Sequence, residues 1–228
     1  MMDPNRKQWN LGQQILRKAL ARPETHSLAV EQFLIQHAMC HAARMSRSGL
    51  VSFEDEIWIG LDDTSARWIS MEFGHSIVWC FWHLARIEDV TMNMLLAGTS
   101  QLFLRDGWYE RLGIPFRHTG NGMDANEVAT LSTRIDIAAL HAYRLAVGKQ
   151  TRKIVRRCSP ADLLRKIEPA RLEKVMAEGA VIEAGRGVIE YWSGLTGAGL
   201  LLMPPTRHAF LHLNEMAKIK AKCCVRDK

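Results

Sequence analysis

The chain has 228 residues, 47% of them hydrophobic and 24% charged, with a formal net charge of +6. Such a composition supplies a real apolar core and excludes a largely disordered chain. No apolar run reaches the roughly 18 residues of a membrane-spanning helix. The longest candidate, from Ser76 to Leu84, is followed at once by Arg86, Glu88 and Asp89. Residues 1–18 hold no signal-peptide core, so a cytosolic protein with no membrane partner is expected.

In chain order, the dominant apolar period is helical. From Leu28 to Met45, Val30, Phe33, Leu34, Ala38 and Ala42 recur at spacings of three and four, which predicts a long helix capped by Ser27 and closed at Ser48-Gly49. Ser52 with Asp55 or Glu56 signals the start of a short acidic helix. A second long helix is expected from His75 to Ala97, ending at Gly98. Its Ile77, Trp79, Phe81, Trp82, Leu84 and Ile87 leave no polar side, which places it centrally in the core. Gly107, Gly113, Pro115, Gly120 and Gly122 mark a loop from Asp106 to Asp124. A third long helix follows, from Ala125 or Thr130 to Arg157. Ser159-Pro160 opens another helix, and Pro204-Pro205 opens the last, Thr206 to about Lys222. With no strand and no repeat, the expected fold is all-α, an antiparallel four-helix bundle with additional short helices. It is read as one domain over residues 1–228, its core from about 27 to 222.

Two basic clusters carry much of the charge: Lys149, Arg152, Lys153, Arg156 and Arg157, then Lys218, Lys220, Lys222, Arg226 and Lys228. No aromatic residues interleave with the first as a stacking platform would require, so a solvated helix face is expected rather than a nucleic-acid partner. The cysteines, at 40, 80, 158, 223 and 224, are odd in number and contain no Cys-x-x-Cys spacing. They read as free thiols, with Cys223 and Cys224 in an exposed tail.

Four of the nine histidines form pairs four residues apart, His37 with His41 and His208 with His212. On a helix such a pair shares one face, so both imidazoles can converge on one ion, and a facing helix must supply a third ligand. Hydrogen-bonded helix-face histidines are the alternative for each pair. His37 and His41 have no acidic residue near them in sequence and line a pocket at most. His83 sits inside Trp79-Cys80-Phe81-Trp82-His83-Leu84, where both ring nitrogens need partners. His26, His75, His118 and His141 are isolated and read as surface or hydrogen-bonded residues.

At Trp82-His83-Leu84-Ala85-Arg86-Ile87-Glu88-Asp89 and Thr206-Arg207-His208-Ala209-Phe210-Leu211-His212-Leu213-Asn214-Glu215, the chain resembles the DinB-like superfamily of helical-bundle metalloproteins. That pattern has one histidine on the second bundle helix and a His-x-x-x-His pair on the last. The resemblance implies His83, His208 and His212 as ligands of a divalent ion, zinc or nickel, with open positions. It further implies a homodimer and a small-molecule substrate. Relatives include bacillithiol S-transferases and mycothiol-dependent maleylpyruvate isomerase, so a low-molecular-weight thiol is the implied substrate class. Many members have x-Gly-Gln after the pair, whereas this chain has Leu213-Asn214-Glu215. Glu215 is therefore expected to approach the metal or to orient a ligand imidazole.

Two functions are carried forward. One is a metal-dependent enzyme of the thiol S-transferase or hydrolase type, with Glu215 and Asp89 as acid–base candidates and Arg86 as a holder of an anionic substrate group or as the partner of Glu88 or Asp89. The other is a non-catalytic stress-related or binding protein in which the metal is structural.

Overall fold

A computed structural model describes residues 3–226, with side chains to Cys223. Among the described residues there is no strand, only an isolated bridge between Lys166 and Thr196, and the fold is an all-α bundle. None of its helices is long and apolar enough to cross a membrane.

The chain opens on a helix that the periodicity reading leaves out. Helix α1 (Pro4–Leu20) has Pro4 at its first position and Asp3 as N-cap, whose carboxylate accepts from Arg6 N at 3.0 Å. Its Trp9, Leu16, Ala19 and Leu20 are buried, so the core begins well before residue 27. Trp9 stacks on Phe210 with ring centroids 3.9 Å apart and planes 7° from parallel, and its indole N–H donates to Gln36 O.

The second helix is shorter than the sequence suggests. Helix α2 (His26–Met39) stops at Cys40, and a separate turn, Ala43–Ser46, follows. The two carbonyls at the break are taken by side chains: Arg144 Nη2 donates to Cys40 O at 2.7 Å, and Ser52 Oγ donates to His41 O at 2.8 Å. Ser27 is not the cap. The helix starts at His26 after Thr25, which makes no side-chain capping bond. Ser52 does cap the acidic helix Phe53–Trp58, accepting from Asp55 N at 3.0 Å.

Helix α3 (Ile77–Asp89) is capped by Ser76 and is buried at every position. It runs on through π-helical turns, Val90–Ala97, to Gly98 in the left-handed region at φ 67°. The apolar residues from Ile77 to Ala85 lie in one cluster, and those from Ile87 to Leu96 in a second. The buried Arg86, Glu88 and Asp89 sit at the change-over.

The expected third long helix is two. Ala125–Arg134 ends at Ile135, and helix α4 (Ile137–Arg157) begins after Asp136, whose carboxylate caps Ala139 N at 2.7 Å. Asp136 N is tied to Leu112 O, so the chain turns there instead of continuing. Lys149, Lys153, Arg156 and Arg157 lie exposed along α4, while Arg152 reaches back to Leu34 O. Ser159-Pro160 opens Pro160–Leu164 with a full capping box. Pro204-Pro205 lies within π-helical turns, Met203–His208, that lead into helix α5 (Ala209–Arg226). Cys223 is buried, unlike the exposed tail expected for it, and the side chain of Cys224 lies outside the described residues.

If α1 belongs to the core, truncating its anchor is costly. Trp9→Ala is expected to lower unfolding stability by about 3–5 kcal/mol, read as a shift of the urea midpoint at unchanged slope. A loss well under 1 kcal/mol would mean that α1 packs loosely on the bundle.

Candidate metal centre

His83 projects from α3, buried, with a fixed tautomer. Its Nδ1 lies 2.6 Å from Thr119 O, and a carbonyl only accepts, so Nδ1 carries the proton. Burial first, and then the neighbouring His212, push its pKa down to about 3, so the ring is neutral and Nε2 is a bare lone pair. Trp79 stacks on the ring at 4.8 Å, 11° from parallel. The loop bearing Thr119 can approach this closely because residue 120 is glycine. At its φ of 94°, an added Cβ would stand 2.7 Å from the Trp82 ring. Thr119 N is itself held by Ala180 O at 2.9 Å.

His208 and His212 come from the junction between the π-helical turns and α5. Thr206 anchors that junction: its hydroxyl donates to Leu201 O at 2.8 Å, and Gln13 donates to the hydroxyl from α1. His208 Nε2 then lies 3.3 Å from His83 Nε2. The three rings meet edge to face, with centroids 4.6 to 5.2 Å apart. One nitrogen from each lies within 4.8 Å of the others. Burial and the two neighbouring imidazoles hold His208 neutral, and its Nδ1 is buried with no partner.

The carboxylate nearest these rings stands behind them. Glu215 Oε2 lies 3.0 Å from His212 Nδ1, in contact but off the line of a good hydrogen bond, and Oε1 lies 2.9 Å from His75 Nδ1. Burial raises the Glu215 pKa, but His212 and His75 outweigh it and bring the group to about 2. An ionised carboxylate there favours the proton on Nδ1 of His212 and leaves Nε2 free. Glu215 thus faces the outer nitrogen of an imidazole, as carboxylates do behind metal-ligating histidines.

This donor set suits a divalent cation. His83 and His208 are neutral, and their Nε2 atoms face each other at 3.3 Å, close enough to share one proton or one ion. For an ion about 2.1 Å from each nitrogen, a 3.3 Å separation corresponds to an angle of about 100°, near tetrahedral.

Asp89 and Arg86 are committed elsewhere. The Asp89 carboxylate accepts from Leu102 N, Phe103 N, the Tyr143 hydroxyl and Asn93 Nδ2, all between 2.7 and 2.9 Å. Arg86 is wholly buried, lies over the Phe103 ring, and donates to Arg117 O at 2.7 Å and to the Tyr143 hydroxyl. Both hold the loop segments around α3 and are sealed in the interior, away from any acid–base or substrate-holding position. Arg86 takes its alternative role as a partner of Asp89, 3.6 Å from its carboxylate.

His37 and His41 do not join the three imidazoles. Their Nε2 atoms lie 2.8 and 2.9 Å from the two oxygens of Glu88, one each, in a dry interior. The His41 ring fits because Gly148 faces it; a Cβ there would lie 2.8 Å from Nδ1. Sequence reasoning missed Glu88 as their partner, since it arrives from another helix. It also missed His75, which no spacing pattern linked to Glu215.

The clamp has a pH signature. Burial lowers the pKa of His37 and takes His41 to about 3, although Glu88 acts in the opposite sense. Both rings are neutral when folded, and on unfolding they regain an ordinary pKa near 6.5. Below about pH 6.5 the unfolded chain therefore binds more protons, so stability is full above that pH and falls as pH drops toward 3. Burial raises the Glu88 pKa, but the two histidines outweigh it and hold it well below normal, which adds a loss of the same sign at lower pH. We expect the denaturation midpoint of the metal-free protein to fall between about pH 7 and pH 5, and to fall less in His41→Gln. Equal pH slopes in the two proteins would refute the assignment.

The family model described as the DinB superfamily matches residues 55–183, more than half of the chain. The matched stretch includes His83 and ends before His208 and His212. No curated protein matches the sequence.

Proposed function

The chain belongs to the DinB superfamily, and we propose that it is a metal-dependent enzyme of the thiol S-transferase or hydrolase type, working at His83, His208 and His212. The observation that carries this reading is the meeting of three imidazoles from two separate parts of the chain at one point. No carboxylate is among these three donors, and His208 and His212 are half-buried, not sealed. A three-histidine set is the donor pattern of catalytic zinc sites, whereas structural sites close all four positions with protein ligands.

Zinc or nickel is the ion proposed. Bound there, it would supply Lewis acidity, keeping a thiol or a water deprotonated near neutral pH. The chain's own groups do the positioning. Thr119 O fixes the His83 tautomer and ring plane, Trp79 blocks its rotation, and the Glu215 carboxylate stands 3.0 Å from His212 Nδ1 on the side away from the centre. The substrate class favoured by the family likeness is a low-molecular-weight thiol together with a small electrophile.

Elemental analysis tests the reading. The native protein is expected to hold one equivalent more of zinc or nickel than the His208→Ala, His212→Ala double variant. His83→Ala should abolish thiol transfer in a screen of small thiols and electrophiles. Equal metal content in native and double-variant protein, after incubation with either ion, would make the three histidines structural and remove the enzyme reading.

A further inference from the structure

His75, Cys80 and Glu215 form another meeting point of donor atoms, beside the three histidines and not part of them. His75 sits just before the N-terminus of α3, on a turn closed by Ser70 N to His75 O at 3.1 Å. Trp79 stacks on its ring at 4.4 Å, 6° from parallel, and so fixes the plane in which Nδ1 points. Cys80 lies in the first turns of α3, buried. Its sulfur is 3.6 Å from His75 Nδ1 and 3.9 Å from Glu215 Oε1. The third side, His75 Nδ1 to Glu215 Oε1, is 2.9 Å.

These separations can be compared with a metal site. With bonds of about 2.3 Å to sulfur, 2.1 Å to nitrogen and 2.0 Å to oxygen, tetrahedral angles put the donors about 3.6 Å (N to S), 3.5 Å (S to O) and 3.4 Å (N to O) apart. The triangle observed agrees within about half an ångström on every side, at the scale of small side-chain rotations. Hydrogen bonding explains the short His75–Glu215 side but not the sulfur, because a thiol is a weak donor and both of its contacts are long. Charge also fits. A divalent ion with one thiolate and one carboxylate is formally neutral, so the site avoids the cost of burying net charge. The His75 and Glu215 side chains are 19% and 17% exposed, which leaves a side open to water as fourth ligand.

We infer that His75, Cys80 and Glu215 form a second site for a zinc-class divalent cation. Loading it forms bonds from the ion to His75 Nδ1, Cys80 Sγ and Glu215 Oε1. It sends the thiol proton to solvent and takes the neutral His75 ring in the tautomer with its proton on Nε2, while Glu215 Oε2 stays on His212. Mixed nitrogen, sulfur and oxygen donors favour zinc and its cobalt substitute over calcium or magnesium. The inference does not rest on the three-histidine reading.

Cobalt(II) titration of the metal-free full chain tests it, because a thiolate ligand gives a charge-transfer band in the near ultraviolet that histidine ligands do not. Native protein is expected to bind two equivalents and to show the band. His208→Ala should keep the band and lose an equivalent. Cys80→Ser should lose the band and an equivalent while keeping its helical circular dichroism, and His75→Gln, at a partly exposed position, should behave like it. A native protein with no band, or a band that survives in Cys80→Ser, overturns the second site and leaves the three-histidine reading standing. A single equivalent whose band Cys80→Ser removes would uphold the second site and sink the first.

Discussion

Helix α3 has no solvent-facing side, and most of the molecule follows from that. A buried polar group must find a partner inside the protein or cost on the order of 1–3 kcal/mol. Along α3, His83, Arg86, Glu88 and Asp89 all face this requirement. They are met by four other segments: Thr119 and Arg117 from the long loop, His37 at the end of α2 with His41 just beyond it, Leu102 and Phe103 from the turn after Gly98, and Tyr143 from α4. The polar side chains of one helix thus fix where four other segments lie. The apolar residues around them supply most of the driving force but little of this register.

The two histidine clusters use the same residue types in opposite ways. His83 and Glu88 are five residues apart, so on a helix they point about 140° away from each other. One side of α3 faces the end of α2, where the Glu88 carboxylate binds an imidazole on each oxygen and the outer Nδ1 atoms of both rings are buried without a partner. The other faces the start of α5, where His83 gives its single ring proton to a carbonyl and turns its remaining nitrogen toward His208. The tautomer decides the outcome. A carbonyl behind a neutral imidazole leaves a metal-ready lone pair in front, whereas a carboxylate in front takes that place.

The all-α class and the central place of the helix through Trp79 and Trp82 were legible in the sequence, because an apolar run without a polar side has few other fates. The ends of that helix were nearly right as well, since Ser76 and Gly98 are strong local signals. The breaks at Cys40 and at Asp136 were not legible. In both, the helical period runs on through the break, and the interruption comes from bonds with distant residues, Arg144 and Ser52 in one case and Leu112 in the other. α1 was overlooked because its buried face, Trp9, Leu16 and Leu20, is thin and carried among glutamines and basic residues. At the site, the pair His208 and His212 was visible as a spacing. Glu215 was visible too, three residues after His212 on the same helix, whereas Thr119 O and the Glu88 carboxylate lie on other segments from the histidines they bind and leave no local trace.

Access separates the clusters as candidates for chemistry. Glu88 with His37 and His41 is dry, and each of its oxygens is already bonded, so a substrate could enter only by dismantling the contact between α2 and α3. Its function is to hold those helices in register. His83 and His208 have neutral rings, His208 and His212 are half-buried, and the nearest carboxylate, Glu215, stands behind them. A cation there would be attracted by lone pairs but not neutralised by a carboxylate, and it would keep its full charge for whatever binds in the open position. Lewis-acid catalysis needs that combination, and among the histidine clusters of this bundle it is met where the π-helical turns deliver His208 opposite His83.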